Sequence, residues 1–230
     1  MRKGALFSLI LFALPALAAA RPPVVVELYT AQGCASCNEA NAFAAQLAER
    51  PGVLLLTFPV DYWDYLGWAD TFAMPEFADR QKAYVTRLQL NEPFTPQVII
   101  DGRSQASALR PEKVEKLVRE AAKAPTDPPD MRFMSPRRVD VGSGRPPRGG
   151  AEVWMLRYDP RAQEVPVKSG DNRGHTVVQT NVVREMKKLG SWRGRAQAYR
   201  LPKPSESGLV TVVIVQGARG GRVMGVARRG

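Results

Sequence analysis

Two cysteines two residues apart, Cys34 and Cys37, restrict the folds open to this chain more than any other feature. They are the only cysteines among its 230 residues and lie in the stretch YTAQGCASCNEANAF. The preceding run VVVELY at residues 24–29 is rich in β-branched side chains, which predicts a buried strand interrupted by Glu27. Residues 38–50 place apolar side chains at helical spacing, which predicts a helix. The pair therefore connects a strand to the start of a helix.

The spacing of the two cysteines argues against a purely structural role. A disulfide between them would close a loop of only four residues, which stabilises a fold by roughly 2 kcal/mol on the loop-entropy model. A structural zinc site needs four Cys or His ligands, and the sole histidine, His175, lies in the other half of the chain. A two-thiolate Cu(I) site remains open, because soft sulfur ligands suit that ion.

Redox chemistry fits the cysteine pair best. The start of a helix presents free N–H groups and a partial positive charge, which stabilise a thiolate at Cys34. Cys34, expected to be the more exposed thiol, would attack the disulfide of a partner, and Cys37 would resolve the mixed disulfide from one helical turn deeper. The redox-active disulfide is then the only redox group required, and we expect no further cofactor and no metal.

The rest of the first half is predicted to alternate strands with helices. The patterns indicate strands at residues 53–60 and 98–100, and helices at 76–89 and 111–123. The first two strands should lie parallel, since a βαβ crossover joins them. We therefore predict an α/β domain over residues 21–124, with a mixed sheet flanked by helices.

The second half is predicted to be mostly β. Residues 125–136 are rich in Pro and Asp and favour a linker. Residues 137–230 would then form a separate basic domain, a sandwich or a small barrel, with one short helix at residues 181–189. The strand candidates are residues 153–157, 165–168, 176–179, 196–201, 209–216 and 223–227.

The amino terminus has the features of a secretory signal peptide. Arg2 and Lys3 precede an apolar run at residues 5–17, and three alanines follow it. The run is too short for a stable membrane span, and no later stretch is long and apolar enough to cross a bilayer. Residues 1–20 are therefore predicted to be cleaved, with an uncleaved anchor as the alternative. The mature protein would be periplasmic or secreted, without a transmembrane segment, in a compartment that permits disulfides.

Charge is distributed unevenly along the chain. Residues 21–124 carry 11 Lys and Arg against 13 Asp and Glu, a net charge of −2. Residues 125–230 carry 20 against 9, a net charge of +11. The basic half could attract an anionic envelope surface or an acidic partner, although a solvated arginine-rich surface explains the same charge. Nucleic acid is a poor candidate partner for an exported chain without a nucleic-acid-binding motif.

The order of these motifs resembles the thioredoxin superfamily, in which a strand, a CxxC at a helix start and a distant cis-proline come before a further strand. The resemblance implies that Pro96 lies beside the cysteine pair and that Thr95 pairs with the backbone of a substrate chain. Nearly all of the mature chain is also similar to an exported bacterial family, the domain of unknown function numbered 1223. That family implies a thioredoxin-like fold but no settled activity. The stretches that carry the similarity are ELYTAQGCASC, FPVDYWDYLGW, FADRQKAYVTRL, FTPQVIIDGR and NVVREMKKLGSW.

Further site residues are expected where the second strand ends. Parallel strands end at one edge of a sheet, so the segment after residue 60 should converge with Cys34. Asp61 or Asp64 is predicted to orient Cys34 or to relay protons. The alternative is an aromatic plug between the domains, with the acids solvated or capping a helix. The side chains predicted to form the wall of the thiol site are Tyr62, Trp63 and Trp68.

Glu27 is the remaining acid with two interpretations. A carboxylate in a buried strand is costly unless it is paired or protonated. The thioredoxin resemblance implies an acid beneath the cysteine pair that assists proton transfer to the second thiol, and Glu27 matches that position. Alternatively, Glu27 faces outward or pairs with an arginine.

Together these features predict an exported thiol–disulfide oxidoreductase, in which Cys34 attacks, Cys37 resolves and Thr95-Pro96 docks the substrate chain. Its partners would be protein thiols or disulfides, or a redox partner protein selected by the basic domain. The alternative is a non-catalytic thioredoxin-like scaffold of the cell envelope. In that case the disulfide stays closed and the basic domain contacts the partner.

Overall fold

A computed structural model describes residues 21–230, and the predicted signal peptide at residues 1–20 lies outside this range. The first half consists of β1 (Val24–Thr30), α1 (Cys37–Ala48), β2 (Val53–Pro59), a 3-10 turn (Asp64–Leu66), α2 (Pro75–Arg87), β3 (Gln97–Ile100), β4 (Ser104–Ser107) and α3 (Pro111–Lys123). The second half consists of β5 (Met131–Ser135), β6 (Arg138–Val141), β7 (Ala151–Asp159), β8 (Gln163–Pro166), β9 (Thr176–Gln179), β10 (Val182–Trp192), β11 (Gln197–Arg200), β12 (Val210–Gly217) and β13 (Val223–Arg229).

One mixed sheet of eight strands runs through both halves, in the order β13-β12-β7-β10-β2-β1-β3-β4. β1 and β2 are parallel, as predicted. β3 runs antiparallel to β1 and places Gln97 opposite Tyr29. β10 joins the halves, because Val182 pairs with Thr57 of β2. Over residues 21–230 the fold is therefore mixed α/β, with three α-helices packed on a sheet to which both halves contribute.

The second half is mostly β, but it is not a self-contained sandwich or barrel. Its strands β7, β10, β12 and β13 extend the sheet of the first half. β5, β6 and β11 form a second layer whose apolar side chains pack with those of the large sheet around Trp192. β8 and β9 form a separate two-stranded sheet. Part of the predicted linker, residues 131–135, belongs to β5. The pairing of β2 with the distant strand β10 could not be predicted, because it leaves no local pattern in the sequence.

The helix predicted at residues 181–189 is wrong, because this segment is strand β10. β10 pairs with β7 along its whole length, and the register shifts between Val183 and Glu185 and again between Lys188 and Gly190. Each irregularity interrupts the alternation of inward and outward side chains that marks a strand. The apolar residues consequently fall at spacings that resemble a helix.

Two apolar cores lie on opposite faces of the central strands. On one face, Val24, Val26 and Leu28 of β1 pack beneath α1 and α3. On the other face, Val25 and Tyr29 belong to a core that also holds the two cysteines and residues of β7, β10 and β12. Because this second core contains side chains from both halves, it holds the halves together around the cysteine pair.

Candidate functional site

The two cysteines form a disulfide at the point where the chain leaves β1 and enters α1. Cys37 is the first residue of α1, and Ser36 occupies the N-cap without a side-chain capping hydrogen bond. The backbone N–H of Cys37 donates to the carbonyl oxygen of Cys34 over 3.0 Å. The helix start is thus not closed by a side chain, and its N–H dipoles point toward the loop that carries Cys34.

Both cysteines are buried, in contrast to the expectation of an exposed Cys34. Cys34 is 2% exposed and Cys37 is fully buried. Two segments from elsewhere in the chain pack against the cysteine loop. The aromatic loop, residues 61–68, follows β2, and the covering loop, residues 169–174, comes from the second half. The prediction failed because the covering loop lies far from the pair in sequence.

The aromatic loop packs on the cysteine loop through its tryptophans. A β-carbon placed on Gly33 would lie 3.5 Å from the Cβ of Trp63, so the two backbones approach closely there. The indole N–H of Trp63 donates to Oγ1 of Thr95 over 2.7 Å, and that of Trp68 donates to Oε1 of Gln32 over 2.9 Å. Tyr62 donates to Oε1 of Gln81 over 3.1 Å, and burial raises its pKa to about 12.

Thr95 and Pro96 lie at the same edge of the sheet as the disulfide. Their peptide bond is cis, and Pro96 directly precedes β3, which pairs with β1. Trp63 contacts this segment through Thr95 and approaches the cysteine loop at Gly33. Three segments that are distant in sequence therefore converge: the cysteine loop, the aromatic loop and the Thr95-Pro96 turn.

Asp61, Asp64 and Asp70 make hydrogen bonds in and around the aromatic loop, the first through its backbone and the other two through their carboxylates. Oδ1 of Asp64 accepts from the backbone N–H of Asp70 over 3.0 Å, and the backbone carbonyl of Asp61 accepts from the N–H of Asp64. Asp70, which sequence reasoning missed, accepts from the N–H of Gln32 over 2.7 Å. Burial raises the pKa of Asp70 to about 6, although hydrogen bonds from the Gln32 and Phe72 backbones oppose the shift. The second aspartate of the stretch DYLGWAD, which closes the same aromatic turn as Asp64, was the available signal.

Glu27 is paired with an arginine inside the core. It is 1% exposed, and its carboxylate accepts hydrogen bonds from Nε of Arg80 over 2.7 Å and from Nη2 of Arg80 over 2.8 Å. The hydroxyls of Tyr29 and Tyr84 donate to the same carboxylate over 2.9 and 2.6 Å. Burial, together with the charge of Glu27, holds the pKa of both tyrosines well above its usual range. The sequence did not identify Arg80 as the partner of Glu27, although its spacing from Phe77 and Tyr84 places it on the buried stripe of α2.

Asn172 is the side chain by which the covering loop reaches the cysteines. It is 3% exposed, and its Nδ2 donates to the carbonyl oxygens of Gln32 and Cys34 over 2.7 and 3.1 Å. Its Oδ1 accepts from Nδ2 of Asn38 in α1 over 3.1 Å. The flanking Ser169 donates to the carbonyl oxygen of Gly67 over 2.5 Å, which ties the covering loop to the aromatic loop. The stretch GDNRG indicated a turn but gave no sign of this contact.

No group of three or more His, Cys, Asp or Glu side chains that could hold a metal ion occurs within residues 21–230. Over the same range, no helix is long and apolar enough to cross a membrane.

Comparison with known proteins places the chain in a family. The model of a family described as proteins of unknown function, DUF1223, matches residues 25–216. The chain belongs to this family. The DUF1223 match runs from β1 to β12, so it includes both the cysteine pair and the covering loop.

A solved structure of similar fold is that of the protein AGR_C_4864 from Agrobacterium tumefaciens. That protein is 27% identical in sequence to this chain. Its X-ray crystal structure superposes with a TM-score of 0.73 and covers 91% of this chain and 95% of its own. No curated protein matches the chain significantly in sequence. The comparisons thus show the family and the fold of both halves together.

Proposed function

We propose that this DUF1223 protein is an exported thiol–disulfide oxidoreductase with a thioredoxin-like first half. The observation that carries the proposal is the Cys34–Cys37 disulfide at the start of α1, formed by the only two cysteines of the chain. A helix start without a side-chain cap favours the thiolate form of a nearby cysteine. A disulfide that closes so short a loop adds little stability, which favours a chemical role over a structural one.

The proposed exchange proceeds in two balanced steps. In the reduced protein, the Cys34 thiolate attacks one sulfur of a partner disulfide, so that a mixed disulfide forms and the partner's other sulfur leaves as a thiolate. The Cys37 thiolate then attacks Sγ of Cys34, and the second partner thiolate leaves. The partner disulfide gains two electrons and the Cys34–Cys37 pair loses them. The reverse sequence oxidises a partner dithiol.

Access to Cys34 requires movement of the cover. The covering loop is held at the pair mainly by Asn172, and the aromatic loop by Trp63 and Trp68. When the covering loop leaves, a partner chain can approach Cys34 along the edge where Thr95-Pro96 lies, with Thr95 supplying backbone hydrogen bonds. Export through residues 1–20 would bring the protein to a periplasmic or extracellular compartment, where its partners carry protein thiols or disulfides.

The proposal is tested by trapping the mixed disulfide. We expect Cys37→Ser to accumulate a covalent complex with a disulfide-bonded protein such as insulin, because Cys34 can attack but nothing resolves the product. Cys34→Ser is the matched control and should form no complex. Wild-type protein should catalyse insulin reduction in the presence of dithiothreitol. Failure of both trapping and turnover, with correctly folded variants, would contradict the proposal.

A non-catalytic scaffold is the second candidate, and the burial of both cysteines favours it. In that case the native pair should resist dithiothreitol until the protein is unfolded. Alkylation and mass measurement, made before and after addition of urea, distinguish the two functions. Reduction of the pair in the native state supports the enzyme, whereas reduction only in urea supports the scaffold.

A further inference from the structure

A groove of about 990 Å³ lies where α2, the β3–β4 turn and the β12–β13 hairpin meet. Its wall contains no acidic residue and no aromatic residue among those that the structure describes. It shares no residue with the cysteine site. The five charged side chains that line it are Arg87, Arg103, Arg148, Arg219 and Arg222. We call this surface the arginine groove.

The arginines of the groove form no ion pair with the residues that the structure describes. All five are exposed. Elsewhere on the surface, Arg138 and Arg161 pair with the neighbouring Asp140 and Asp159. Five guanidinium groups around one concavity repel one another unless an anion lies between them. The groove therefore carries an excess of positive charge, even though Asp101 lies near Arg103 and Glu76, Asp79 and Glu152 line a neighbouring cavity that shares Arg219.

The base of the groove is formed by closely packed backbone. A β-carbon on Gly102 would lie 2.4 Å from the carbonyl oxygen of Gly221, so no other side chain fits between the two turns. Two backbone hydrogen bonds close the hairpin. The N–H of Gly217 donates to the carbonyl oxygen of Arg222 over 2.9 Å, and the N–H of Gly221 donates to the carbonyl oxygen of Gly217 over 2.9 Å. Arginines from four separate segments are thus presented around this floor.

We propose that the arginine groove binds a soluble small molecule that carries several phosphate groups. The planar fork of a guanidinium donates two parallel hydrogen bonds to a phosphate, and several such groups suit a ligand with several negative charges. The recessed shape suits a soluble molecule better than the plane of a membrane. The lack of aromatic side chains in the wall disfavours a ligand that depends on stacking of a base. The site draws on both halves of the chain and is independent of the redox proposal.

Calorimetric titration of the mature protein with sodium tripolyphosphate tests the inference. We expect saturable binding at one site that weakens as salt is added. Arg103→Ala and Arg219→Ala should each weaken the Kd by about tenfold, since a charge-assisted hydrogen bond is lost in each case. Arg195→Ala is the matched control, because Arg195 is exposed but outside the groove. It should leave the Kd unchanged. All of these side chains are exposed, so thermal melting should be unaltered.

Three results would overturn the inference. The first is the absence of saturable binding, or equal weakening by Arg195→Ala, which would indicate attraction to net charge alone. The second is tighter binding of citrate than of tripolyphosphate, which would assign the groove to carboxylates. The third is cosedimentation with phosphatidylglycerol vesicles that depends on Arg103 and Arg219 and that tripolyphosphate does not displace. That result would assign the groove to a membrane surface.

Discussion

At the scale of single residues, the carboxylate of Glu27 is notable for the number of donors around it. Arg80 contributes two hydrogen bonds, and two tyrosine hydroxyls contribute one each. Nη2 of Arg80 also donates to Gln216 of β12 over 3.0 Å, so the ion pair reaches the second half. A buried charge of this kind is tolerated only while its partner is present.

We expect Arg80→Met to destabilise the protein by about 3–5 kcal/mol, because it leaves Glu27 charged and buried without a counter-charge. Urea unfolding followed by circular dichroism measures the change in free energy. The double variant Arg80→Met, Glu27→Gln should recover part of the loss, since no charge then remains in the core. A cost below about 1 kcal/mol for the single variant would show that the pair is not required.

Asp70 gives the stability a pH dependence. Its pKa is raised by burial to about 6 in the folded protein, above its ordinary value of 3.8. Between these two values the folded state binds more protons than the unfolded state, so the contribution of Asp70 to stability falls as pH rises from about 4 to about 6. The shift of roughly two pKa units corresponds to at most about 3 kcal/mol.

The test compares unfolding free energies at several pH values in the wild type and in Asp70→Asn, which cannot ionise. The variant should show a smaller loss of stability across this pH window. Asp101, whose pKa is also raised to about 6 by burial, remains in both proteins and contributes equally to both curves. Identical slopes in the two proteins would refute the assignment.

At the scale of elements, the covering loop packs on the buried cysteine pair. Asn172 donates to two carbonyl oxygens of the cysteine loop. We expect Asn172→Ala to raise the rate of reduction of the native disulfide by about tenfold, because the loss of these hydrogen bonds favours the open loop. Dithiothreitol reduction followed by mass measurement gives the rate. Asn91→Ala, at an exposed asparagine, is the control and should leave it unchanged.

The elements also show how far sequence reasoning extends. α1, α2 and α3 and the strands β1, β2 and β3 were predictable, because their apolar periodicity is local. The helix predicted at 181–189 failed, since the irregular register of β10 hides its strand period. Among the site residues, the aromatic loop was expected near Cys34 from its place at a strand end, whereas Thr95-Pro96 was expected there from the resemblance to thioredoxins. Asn172 and Arg80 were missed, because their partners lie on segments that only the tertiary fold brings near.

At the scale of the whole molecule, the shared sheet should make the two halves unfold together. Leu56 and Phe58 of β2 lie in the same core as Leu156 and Val212 of the second half. We expect one cooperative urea transition for the mature protein, reported alike by circular dichroism and tryptophan fluorescence. A fragment of residues 21–124 should show no cooperative transition, since it would expose this core and the edge of β2. Two separate transitions, or a stably folded fragment, would show that the halves are independent.

The position of Asn172 also bears on how the protein is made. If the chain is exported from its amino terminus, as we propose, the cysteines would enter the new compartment well before the loop that will shelter them. During that interval any oxidant in the compartment meets both thiols freely. Once the carboxyl-terminal half arrives and docks, the bond is enclosed. On the proposed export, the pair would therefore be oxidised most easily during biogenesis, and the folded molecule would keep that state until the covering loop opens.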